Sequence, residues 1–343
     1  MKALFLAGGK GLRLQPLTDK VPKPMVPIMN KPLLERTIVS LKKSGITEIV
    51  ISTCYKPDYI KDYFGNGKDF GVEIEYIVED IPLGTGGAIK KAEAQFNDTF
   101  IVFNSDILSN IDIQKMIQFH KDSKALATIA VTEVEDPSAY GVIEYDENAY
   151  AVSFIEKPKP DQITSNFINA GIYIFEPKIL EEIPENRPVS IEKETFPSLL
   201  AKGHKIGVYK SSSYWIDIGT LAKYKQVHMD ILEKKCKVDD CSFNEEDIIL
   251  GKNVRIHPTA KIVGPSYIGD NVKIGAKTII SKSIIGNNAS IGSGCKISRS
   301  ILWNDVVVSN GVGLVYTIVT SKCFINEDLD YINSVYSNSK KVV

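Results

Sequence analysis

The sequence predicts a doubly wound α/β (Rossmann-like) domain followed by a parallel β-helix, and two periodicities support this division. From residue 1 to about residue 230, short apolar strands alternate with amphipathic helices. This pattern is typical of a mostly parallel sheet that binds ligands at the carboxyl ends of its strands. Farther along, apolar residues recur every six positions, which is typical of coils stacked on one another. We therefore expect a first domain over 1–235, a linker over 236–247, a β-helix over 248–330 and a tail over 331–343.

The first domain divides into a parallel part and an antiparallel part. The expected parallel strands are the apolar runs Ala3–Ala7, Glu48–Thr53, Val72–Val78 and Phe100–Asn104. Amphipathic helices are expected between and after them, at Leu33–Ser44, Pro57–Phe64, Thr85–Phe96 and Ile111–Lys121. Strands then dominate, at Thr128–Val134, Val142–Tyr145, Ala151–Ile155 and Ala170–Phe175. We interpret this second group as an antiparallel excursion that covers one side of the ligand site.

The six-residue repeat is regular enough to predict a β-helix without further information. Apolar residues are spaced by six at Leu250, Ile256, Ile262, Ile268, Ile274 and Ile280, and after the loss of one residue at Ile285, Ile291 and Ile297. A β-sandwich would instead show alternation with a period of two. The inward positions of successive coils are expected to stack into one core, and the repeat becomes irregular after about Trp303.

The composition excludes several classes of protein. The chain has 343 residues, 43% hydrophobic and 24% charged, with a formal net charge of −1, so no basic excess indicates a nucleic-acid partner. The N-terminal apolar run is too short for a signal peptide, and no stretch is long enough to cross a membrane. Five cysteines without a Cys-x-x-Cys pair predict free thiols in a reducing cytoplasm, with a local Cys236–Cys241 pair as the alternative.

The stretch from Leu6 to Thr18 is the most informative motif. Glycines at 8, 9 and 11 allow backbone N–H groups to approach a polyphosphate, because no Cβ stands in the way. Arg13, and Lys23 between two prolines, add two cations. The dinucleotide fingerprint fits poorly because Leu14 replaces its third glycine, and a P-loop lacks its Gly-Lys-Ser/Thr. We interpret the stretch as a loop that binds a nucleoside triphosphate.

This motif resembles the signature of the sugar-phosphate nucleotidyltransferases, or nucleotide-sugar pyrophosphorylases. The resemblance rests on Gly-Gly-x-Gly-x-Arg-Leu-x-Pro-Leu-Thr followed by Pro-Lys-Pro, with Lys23 at the centre of the second element. It implies that the C-terminal β-helix is left-handed. It also implies a nucleotide site formed by Leu6, Ala7, Gly8, Gly9, Gly11, Arg13, Lys23, Glu79, Gly84 and Thr85.

Two carboxylates are candidates for metal binding. Asp106 follows an apolar strand, and Asp217 lies in Trp215-Ile-Asp-Ile-Gly219, a similar setting far along the chain. A buried carboxylate is costly unless it is hydrated, hydrogen-bonded or bound to a cation, and Mg²⁺ takes oxygen ligands from protein, substrate and water. From the residues alone a helix cap or a turn carboxylate is equally consistent. The family resemblance favours Mg²⁺ on both.

The resemblance also indicates residues for the sugar phosphate. Glu156 and Lys157 precede a proline that ends their strand, so both side chains could turn toward the site. In the family, the glutamate contacts sugar hydroxyls and the lysine contacts the sugar phosphate. Gly141 and Asn169 match further sugar contacts, although Asn before a small residue and Gly is also ordinary turn chemistry.

Glu79 is the residue expected to select the nucleobase. The related uridylyl- and thymidylyltransferases usually have glutamine at this place before the Gly-Thr of residues 84 and 85. Guanine presents two adjacent donors, N1–H and N2–H₂, which an ionised carboxylate accepts and an amide cannot fully match. We therefore expect guanine. An exposed loop glutamate beside Asp80 is the alternative interpretation.

The expected reaction is GTP plus mannose 1-phosphate giving an NDP-sugar and pyrophosphate, with Arg13, Lys23, Asp106, Lys157 and Asp217 as catalytic residues. Alternatives are a heptose-1-phosphate guanylyltransferase and a glucose-1-phosphate uridylyl- or thymidylyltransferase. A β-helix acyltransferase would need a histidine base, and the repeats contain only His257. A non-catalytic regulatory subunit would be expected to lack Lys23 or a metal carboxylate. We expect no nucleic acid or membrane partner, and a homo-oligomer assembled through the β-helix.

Overall fold

The computed structural model describes residues 1–326, 331–337 and 340–342. The chain forms two compact units. The first comprises residues 1–10, 22–24 and 34–217, and the second comprises residues 11–21, 25–33 and 218–343. The units differ from the predicted domains in one respect, because the helix after residue 217 and two short N-terminal segments group with the β-helix.

The strands up to residue 217 include all eight that the sequence predicts. In chain order they are β1 (Ala3–Leu6), β2 (Pro27–Ile28), β3 (Lys31–Pro32), β4 (Glu48–Thr53), β5 (Glu73–Val78), β6 (Phe100–Asn104), β7 (Ile107–Ser109), β8 (Ala127–Glu133), β9 (Gly141–Tyr145), β10 (Ala151–Glu156), β11 (Phe167–Phe175), β12 (Ile206–Lys210) and β13 (Trp215–Asp217). The sequence missed β2, β3, β7 and β12, of which three have only two or three residues and little periodicity, whereas β13 is the short strand expected to end at Asp217.

The helices are α1 (Leu33–Lys43), α2 (Pro57–Phe64), α3 (Gly84–Lys91), α4 (Ile113–Ser123), α5 (Phe196–Ala201) and α6 (Leu221–Leu232). The predicted helix over Thr85–Phe96 is too long, since α3 stops at Lys91 and a separate 3₁₀ turn covers Glu93–Gln95. In α1 the buried residues Leu34, Ile38 and Leu41 recur every three or four positions, which directs one face of the helix to the core.

A nine-stranded mixed sheet forms the centre of the first unit. Its main path is β10-β9-β11-β6-β1-β4-β5, and β8 joins β11 to β12. The pairings β6-β1-β4-β5 are parallel, whereas β11 is antiparallel to β6, β8 and β9. The doubly wound α/β class and the antiparallel excursion are both confirmed. The parallel strands carry buried runs typical of a sheet covered on both faces.

The second unit contains the β-helix, which consists of three sheets. Every third strand along the chain belongs to the same sheet. In chain order the strands are β14 (Ile248–Leu250), β15 (Arg255–Ile256), β16 (Lys261–Val263), β17 (Ser266–Ile268), β18 (Lys273–Ile274), β19 (Ile279–Ser281), β20 (Ile284–Ile285), β21 (Ser290–Ile291), β22 (Lys296–Ser298), β23 (Ile301–Leu302), β24 (Val307–Val308), β25 (Gly313–Val315), β26 (Ile318–Val319), β27 (Phe324–Ile325), β28 (Tyr331–Ile332), β29 (Val335–Ser337) and β30 (Lys340–Val342).

The β-helix follows the predicted repeat, except that it ends later than predicted and that two residues of its first coil are exposed. The sheets are β14-β17-β20-β23-β26-β29, β15-β18-β21-β24-β27 and β16-β19-β22-β25-β28, all parallel, with β30 antiparallel to β29. The predicted end at residue 330 is too early, because Tyr331 fills an inward position that the isoleucine pattern does not reveal. Residues 327–330 lie outside the described part of the chain. Leu250 and Ile256 are 48% and 39% exposed because no coil precedes theirs.

Tyr224 of α6 connects three segments of the second unit. Its side chain is fully buried and donates to the carbonyl of Pro27 at 2.8 Å, while the indole N–H of Trp303 donates to its hydroxyl at 2.9 Å. A buried hydroxyl is stabilised when it is both donor and acceptor. This arrangement fixes α6 to the β2–β3 hairpin and to the middle of the β-helix.

All five cysteines are free thiols, as the sequence predicts. Within the described residues, no helix is both long enough and apolar enough to span a membrane.

A ladder of side-chain amides follows one corner of the β-helix. Asn271 donates to Asn288 at 3.1 Å, and Asn288 donates to Asp305 at 3.0 Å. Asn253, Asn271, Asn288 and Asp305 all have φ between 56° and 61°. Asparagine and aspartate tolerate this left-handed conformation better than other non-glycine residues. A residue at this corner must therefore both accept a positive φ and offer a hydrogen-bonding side chain.

We expect Asn288→Ala to lower the free energy of unfolding by about 1–2 kcal/mol, because alanine is strained at positive φ and removes both ladder bonds. Asn288→Gly removes the same bonds without the strain, so its loss is expected to be smaller. Denaturant unfolding of the two variants measures both effects. Equal losses in the two variants would contradict the assignment of strain to this corner.

Candidate active site

The carboxyl ends of β1 and β6 and the segment that follows β5 border one cavity. Leu6 pairs in register with both Ser52 and Asn104, so the three strands end at the same level. The cavity has a volume of about 320 Å³. It is lined by Leu6, Gly8, Gly9, Lys23, Pro24, Glu79, Pro82, Gly84, Thr85, Ala88, Asn104, Ser105 and Asp106. Eight of the residues predicted from the sequence therefore meet here: Leu6, Gly8, Gly9, Lys23, Glu79, Gly84, Thr85 and Asp106.

Two hydrogen bonds fix the point where the glycine loop leaves β1. The N–H of Ala7 donates to the carbonyl of Ser52 at 2.7 Å, and the hydroxyl of Ser105 donates to the carbonyl of Leu6 at 2.7 Å. A Cβ on Gly8 would lie 3.4 Å from an oxygen of Glu79, whereas one on Gly9 would meet nothing within 4 Å. The loop therefore presents open backbone to the cavity, as an anion site requires.

Lys23 and Asp106 form an ion pair between Nζ and Oδ2, with 14% and 28% of their side chains exposed. The pair puts the predicted phosphate-binding cation beside the predicted metal carboxylate. Arg13 lies in the 3₁₀ turn Leu12–Leu14, after Gly11 at φ 64°, within a segment that groups with the second unit. The Thr18 hydroxyl donates to the Gly11 carbonyl at 2.8 Å and closes that turn.

Asp217 is brought near Asp106 by a small antiparallel sheet. In the β7–β13 pair, Asp217 lies opposite Ile107, the residue that follows Asp106. The hydroxyl of Tyr140 donates to Asp217 Oδ1 at 3.0 Å. In the described part of the chain, no three acidic, histidine or cysteine side chains cluster closely enough to hold a metal. Two carboxylates with substrate oxygens suit Mg²⁺, which keeps part of its coordination for substrate and water.

Glu79 is a buried carboxylate, only 5% exposed. The exposed-loop alternative is therefore wrong. Its Oε1 accepts from the Ser52 hydroxyl at 2.9 Å, and its Oε2 accepts from the N–H of Leu83 at 2.9 Å. Charge-assisted bonds of this kind offset the cost of burying a carboxylate. Because an ionised carboxylate has about four acceptor positions, each oxygen keeps one for a ligand in the cavity.

Gly84 and Thr85 begin α3 at the wall of the cavity. Gly84 has φ +72°, and a Cβ there would lie 2.5 Å from the carbonyl oxygen of Val189, so glycine is required. The N–H groups of Gly86 and Gly87 donate to the same carbonyl at 2.9 and 3.2 Å. The segment after residue 188 thus holds the start of α3 in place.

The predicted sugar residues Gly141 and Glu156 face each other across β9 and β10. A Cβ on Gly141 would lie 2.7 Å from Phe154 and 2.9 Å from Glu156 Oε2, so a side chain there would displace the carboxylate. Lys157 follows at φ 52°, and its Nζ lies 3.3 Å from Glu156 Oε1. Burial raises the pKa of the Glu156 carboxyl, an effect that the Lys157 cation opposes. The left-handed backbone at Lys157 thus brings its side chain back toward that of Glu156.

Asn169 belongs to a set of buried polar groups on β11 and β6. Its amide donates to the Tyr173 hydroxyl at 2.8 Å, and its oxygen accepts from the N–H of Gly171 at 2.9 Å. Asn104 hydrogen-bonds to Tyr173 as well, and this bond works against the burial that raises the Tyr173 pKa. Among the described residues no donor reaches Asn104 Oδ1, which is buried at the cavity wall.

Sequence reasoning missed four residues that shape the site: Ser52, Asn104, Tyr140 and Glu192. Asn104 could have been found, because it precedes Asp106 at the end of a predicted strand. Ser52 gave no signal, and Tyr140 belongs to the motif around Gly141 that resembles a sugar contact but gave no sign of its bond to Asp217, since each acts on a carboxylate at least 27 residues away along the chain. Glu192 lies in a charged stretch that reads as a solvated surface.

Two family models match the chain. The model described as "Nucleotidyl transferase" matches residues 2–234, and the model described as "GMPPB C-terminal domain" matches residues 226–335. Together they span both the mixed sheet and the β-helix.

Similar proteins are named as guanylyl- and uridylyltransferases. Mannose-1-phosphate guanylyltransferase of Mycobacterium tuberculosis is 37% identical over 281 residues, which cover 80% of this chain and 77% of the relative. UTP–glucose-1-phosphate uridylyltransferase of Synechocystis sp. is 33% identical over 310 residues, covering 80% of each chain. The crystal structure of HddC from Yersinia pseudotuberculosis has a TM-score of 0.59 and 33% identity, covers 67% of this chain and 99% of HddC, and has also been solved complexed with GMP-PN.

We expect Ser52→Ala to lower the free energy of unfolding by about 1.5–3 kcal/mol, because it removes a hydrogen bond to the buried Glu79 carboxylate. The adjacent Thr53 provides a matched control. Its hydroxyl is equally buried but has no partner among the described residues, so Thr53→Val is expected to be neutral or slightly stabilising. Denaturant unfolding measures both variants. The assignment is wrong if Thr53→Val costs as much as Ser52→Ala.

Proposed function

Because this chain belongs to the nucleotidyl transferase family, we propose that it transfers GMP from GTP to mannose 1-phosphate and releases pyrophosphate. The observation that carries the proposal is the cavity at the carboxyl edge of the sheet, which combines an open glycine loop, the Lys23–Asp106 pair and the buried carboxylate of Glu79. The names of the guanylyltransferase relatives support the choice of base and sugar.

In the proposed reaction, a phosphate oxygen of the sugar 1-phosphate attacks the α-phosphorus of GTP while the bond to the pyrophosphate oxygen breaks. The attacking phosphate is already ionised at neutral pH, so no general base is required. Backbone N–H groups of Gly8 and Gly9 and the cation of Lys23 would neutralise the triphosphate, with Arg13 as a further cation. Lys157 would hold the attacking phosphate. Catalysis would then arise from positioning and charge neutralisation.

The donor set fits a resident Mg²⁺. Asp106 directly precedes β7, and Asp217 ends β13 opposite Ile107, so each would supply carboxylate oxygen from the same end of this pair. The ion would neutralise charge on the reacting phosphates. Tyr140 would orient the Asp217 carboxylate through its 3.0 Å hydrogen bond, and Lys23 would exchange its contact with Asp106 for contacts with phosphate oxygens.

Guanine recognition is assigned to Glu79. Ser52 and Leu83 occupy one acceptor position on each oxygen, so the carboxylate is fixed in orientation before ligand binding. The remaining positions suit two parallel donors such as guanine N1–H and N2–H₂. Mannose hydroxyls would contact Glu156, Gly141 and Asn169, which border the antiparallel part of the sheet.

One other candidate has a specific observation in its favour. The uridylyltransferase relative covers as much of this chain as the guanylyltransferase of M. tuberculosis does, so UTP with glucose 1-phosphate is the alternative. Acyl transfer has less support, since His257 is exposed and Thr259 is the only hydrogen-bond partner of its ring in the described part of the chain. We further propose a cytoplasmic homo-oligomer, in which the β-helix contributes assembly and stability.

The first test measures pyrophosphate release across four nucleotides (GTP, UTP, dTTP and ATP) and three sugar 1-phosphates (mannose, glucose and heptose). We expect GTP with mannose 1-phosphate to have the highest kcat/KM. Glu79→Gln should lower kcat/KM for GTP relative to UTP about ten- to a hundredfold, because it loses a charge-assisted bond worth roughly 1.5–3 kcal/mol.

A control separates base recognition from loop damage. Asp80→Gln changes the neighbouring acid, which is exposed, and is expected to leave the preference unchanged. If the wild-type protein prefers UTP or dTTP, or if Glu79→Gln keeps the full GTP preference, Glu79 does not select the base.

The second test concerns the metal. Asp106→Asn and Asp217→Asn are each expected to lower kcat about a hundredfold or more at millimolar Mg²⁺, because an amide cannot neutralise the ion. Rates measured over a Mg²⁺ titration, with Mn²⁺ binding followed by electron paramagnetic resonance, distinguish lost affinity from lost chemistry.

Asp112→Asn is the matched control, since it changes a nearby carboxylate that caps α4 through the N–H of Lys115, and asparagine caps helices equally well. It should keep normal activity. Near-normal turnover and Mn²⁺ binding in Asp106→Asn would exclude this carboxylate as a metal ligand.

A further inference from the structure

Glu192 is a carboxylate that faces the site but has no part in the reaction described so far. It lies in a single π-helical turn, Ile191–Thr195, whose start is capped by the Ser190 side chain. Its neighbours Lys193 and Glu194 are exposed, whereas Glu192 is half-buried and turned inward. Its neighbours from other elements are Tyr173 of β11 and Thr85 at the start of α3.

Three hydroxyl groups converge on this carboxylate. Its Oε2 accepts from Thr85 at 2.6 Å and from Ser190 at 2.8 Å, and its Oε1 lies 3.4 Å from the hydroxyl of Tyr173. The direction of the Thr85 bond is fixed, because the same hydroxyl accepts from the N–H of Ile191 at 3.0 Å. Glu192 therefore holds the Thr85 side chain in one rotamer through a short, charge-assisted bond.

The same carboxylate is connected to the sugar side. Tyr173 is fully buried, and its hydroxyl accepts from the amide of Asn169, so its own proton is available to Glu192. The turn that carries Glu192 packs against β10, the strand that ends at Glu156, and besides burial the negative charge of Glu192 raises the pKa of the Glu156 carboxyl. One side chain thus contacts a residue of the nucleotide cavity, is linked through Tyr173 to Asn169 and acts electrostatically on Glu156.

We propose that Glu192 is a positioning residue that couples the nucleotide loop at Thr85 to the sugar residues Asn169 and Glu156. This inference rests on the proposed nucleotidyl transfer. Neutralising Glu192 should release the Thr85 hydroxyl and the Tyr173–Asn169 pair together. Both substrates would then be held less well relative to each other, and misplacement of reacting groups lowers the rate even when each substrate still binds.

The test compares Glu192→Gln with Glu194→Gln. Glu194 lies in the same π-helical turn, but its carboxylate pairs with Arg187 at 2.7 Å on the surface. We expect Glu192→Gln to lower kcat about tenfold or more with smaller changes in the KM of either substrate, and Glu194→Gln to behave as wild type. Thr85→Val should reproduce the loss, and Thr85→Ser, which keeps the hydroxyl, should lose less activity than Thr85→Val. The double variant Thr85→Val/Glu192→Gln should be no worse than the poorer single variant within about threefold.

A second readout does not depend on activity. Removal of the Glu192 charge should lower the pKa of Glu156, because the repulsion that raises it disappears. Carbon-13 NMR titration of the glutamate carboxyls in the ligand-free protein measures this shift, and the acid limb of the pH–rate profile should move to lower pH in parallel.

The outcomes separate this inference from the proposed function. A Glu156 pKa that is lower in Glu192→Gln than in the wild-type protein, together with a wild-type protein that is inactive with every substrate pair, would support the coupling and exclude the proposed reaction. An active wild type with unchanged kinetics and unchanged Glu156 pKa in Glu192→Gln would overturn the coupling and leave the reaction intact. If Glu192→Gln does not fold, the double variant Thr85→Val/Tyr173→Phe replaces it. A loss of kcat equal to the product of the two single losses would overturn the coupling, and a smaller loss would support it.

Discussion

The parallel pairing of β1 between β4 and β6 is the constraint on which the rest of the site depends. Leu6 lies opposite both Ser52 and Asn104, so three strands from distant parts of the chain end at one level. The glycine loop, the Ser52–Glu79 contact and the Asp106 segment all begin from this edge. Because parallel strands cannot be joined by hairpins, the connecting helices lie on the faces of the sheet, and the edge stays open to a ligand.

Carboxylates that are buried or half-buried are the second common feature of the site. Glu79, Asp106 and Glu192 each contact donors from other parts of the chain, respectively Ser52, Lys23 and Thr85. An isolated buried charge would be strongly unfavourable, so these partners make the arrangement possible and also fix its geometry. Each carboxylate is oriented before a substrate arrives, which is the condition for electrostatic catalysis without reorganisation of the protein.

The β-helix obeys a different physical rule. Its core is a stack in which each inward side chain meets the equivalent position of the next coil, as Ile268, Ile285 and Leu302 do along one sheet. One of its corners is fixed by the asparagine ladder. Stability of this kind is built from nearest-neighbour contacts, so the repeat can be extended or ended with little effect on the mixed sheet. This separation explains why the hexad pattern is regular while the chemistry-bearing residues follow no period.

The sequence by itself determined the elements with strong local signals: the alternating strands and helices, the glycine loop, the hexads and most of the residues that line the cavity. Only the tertiary structure decided which partners those residues have. The β7–β13 pair places Asp217 beside Asp106 across more than a hundred residues of chain, and Ser52 and Thr85 find Glu79 and Glu192 in the same way. Hydrophobic periodicity indicates which face of a segment is buried. A contact between distant side chains depends instead on the path of the whole chain and leaves no local pattern.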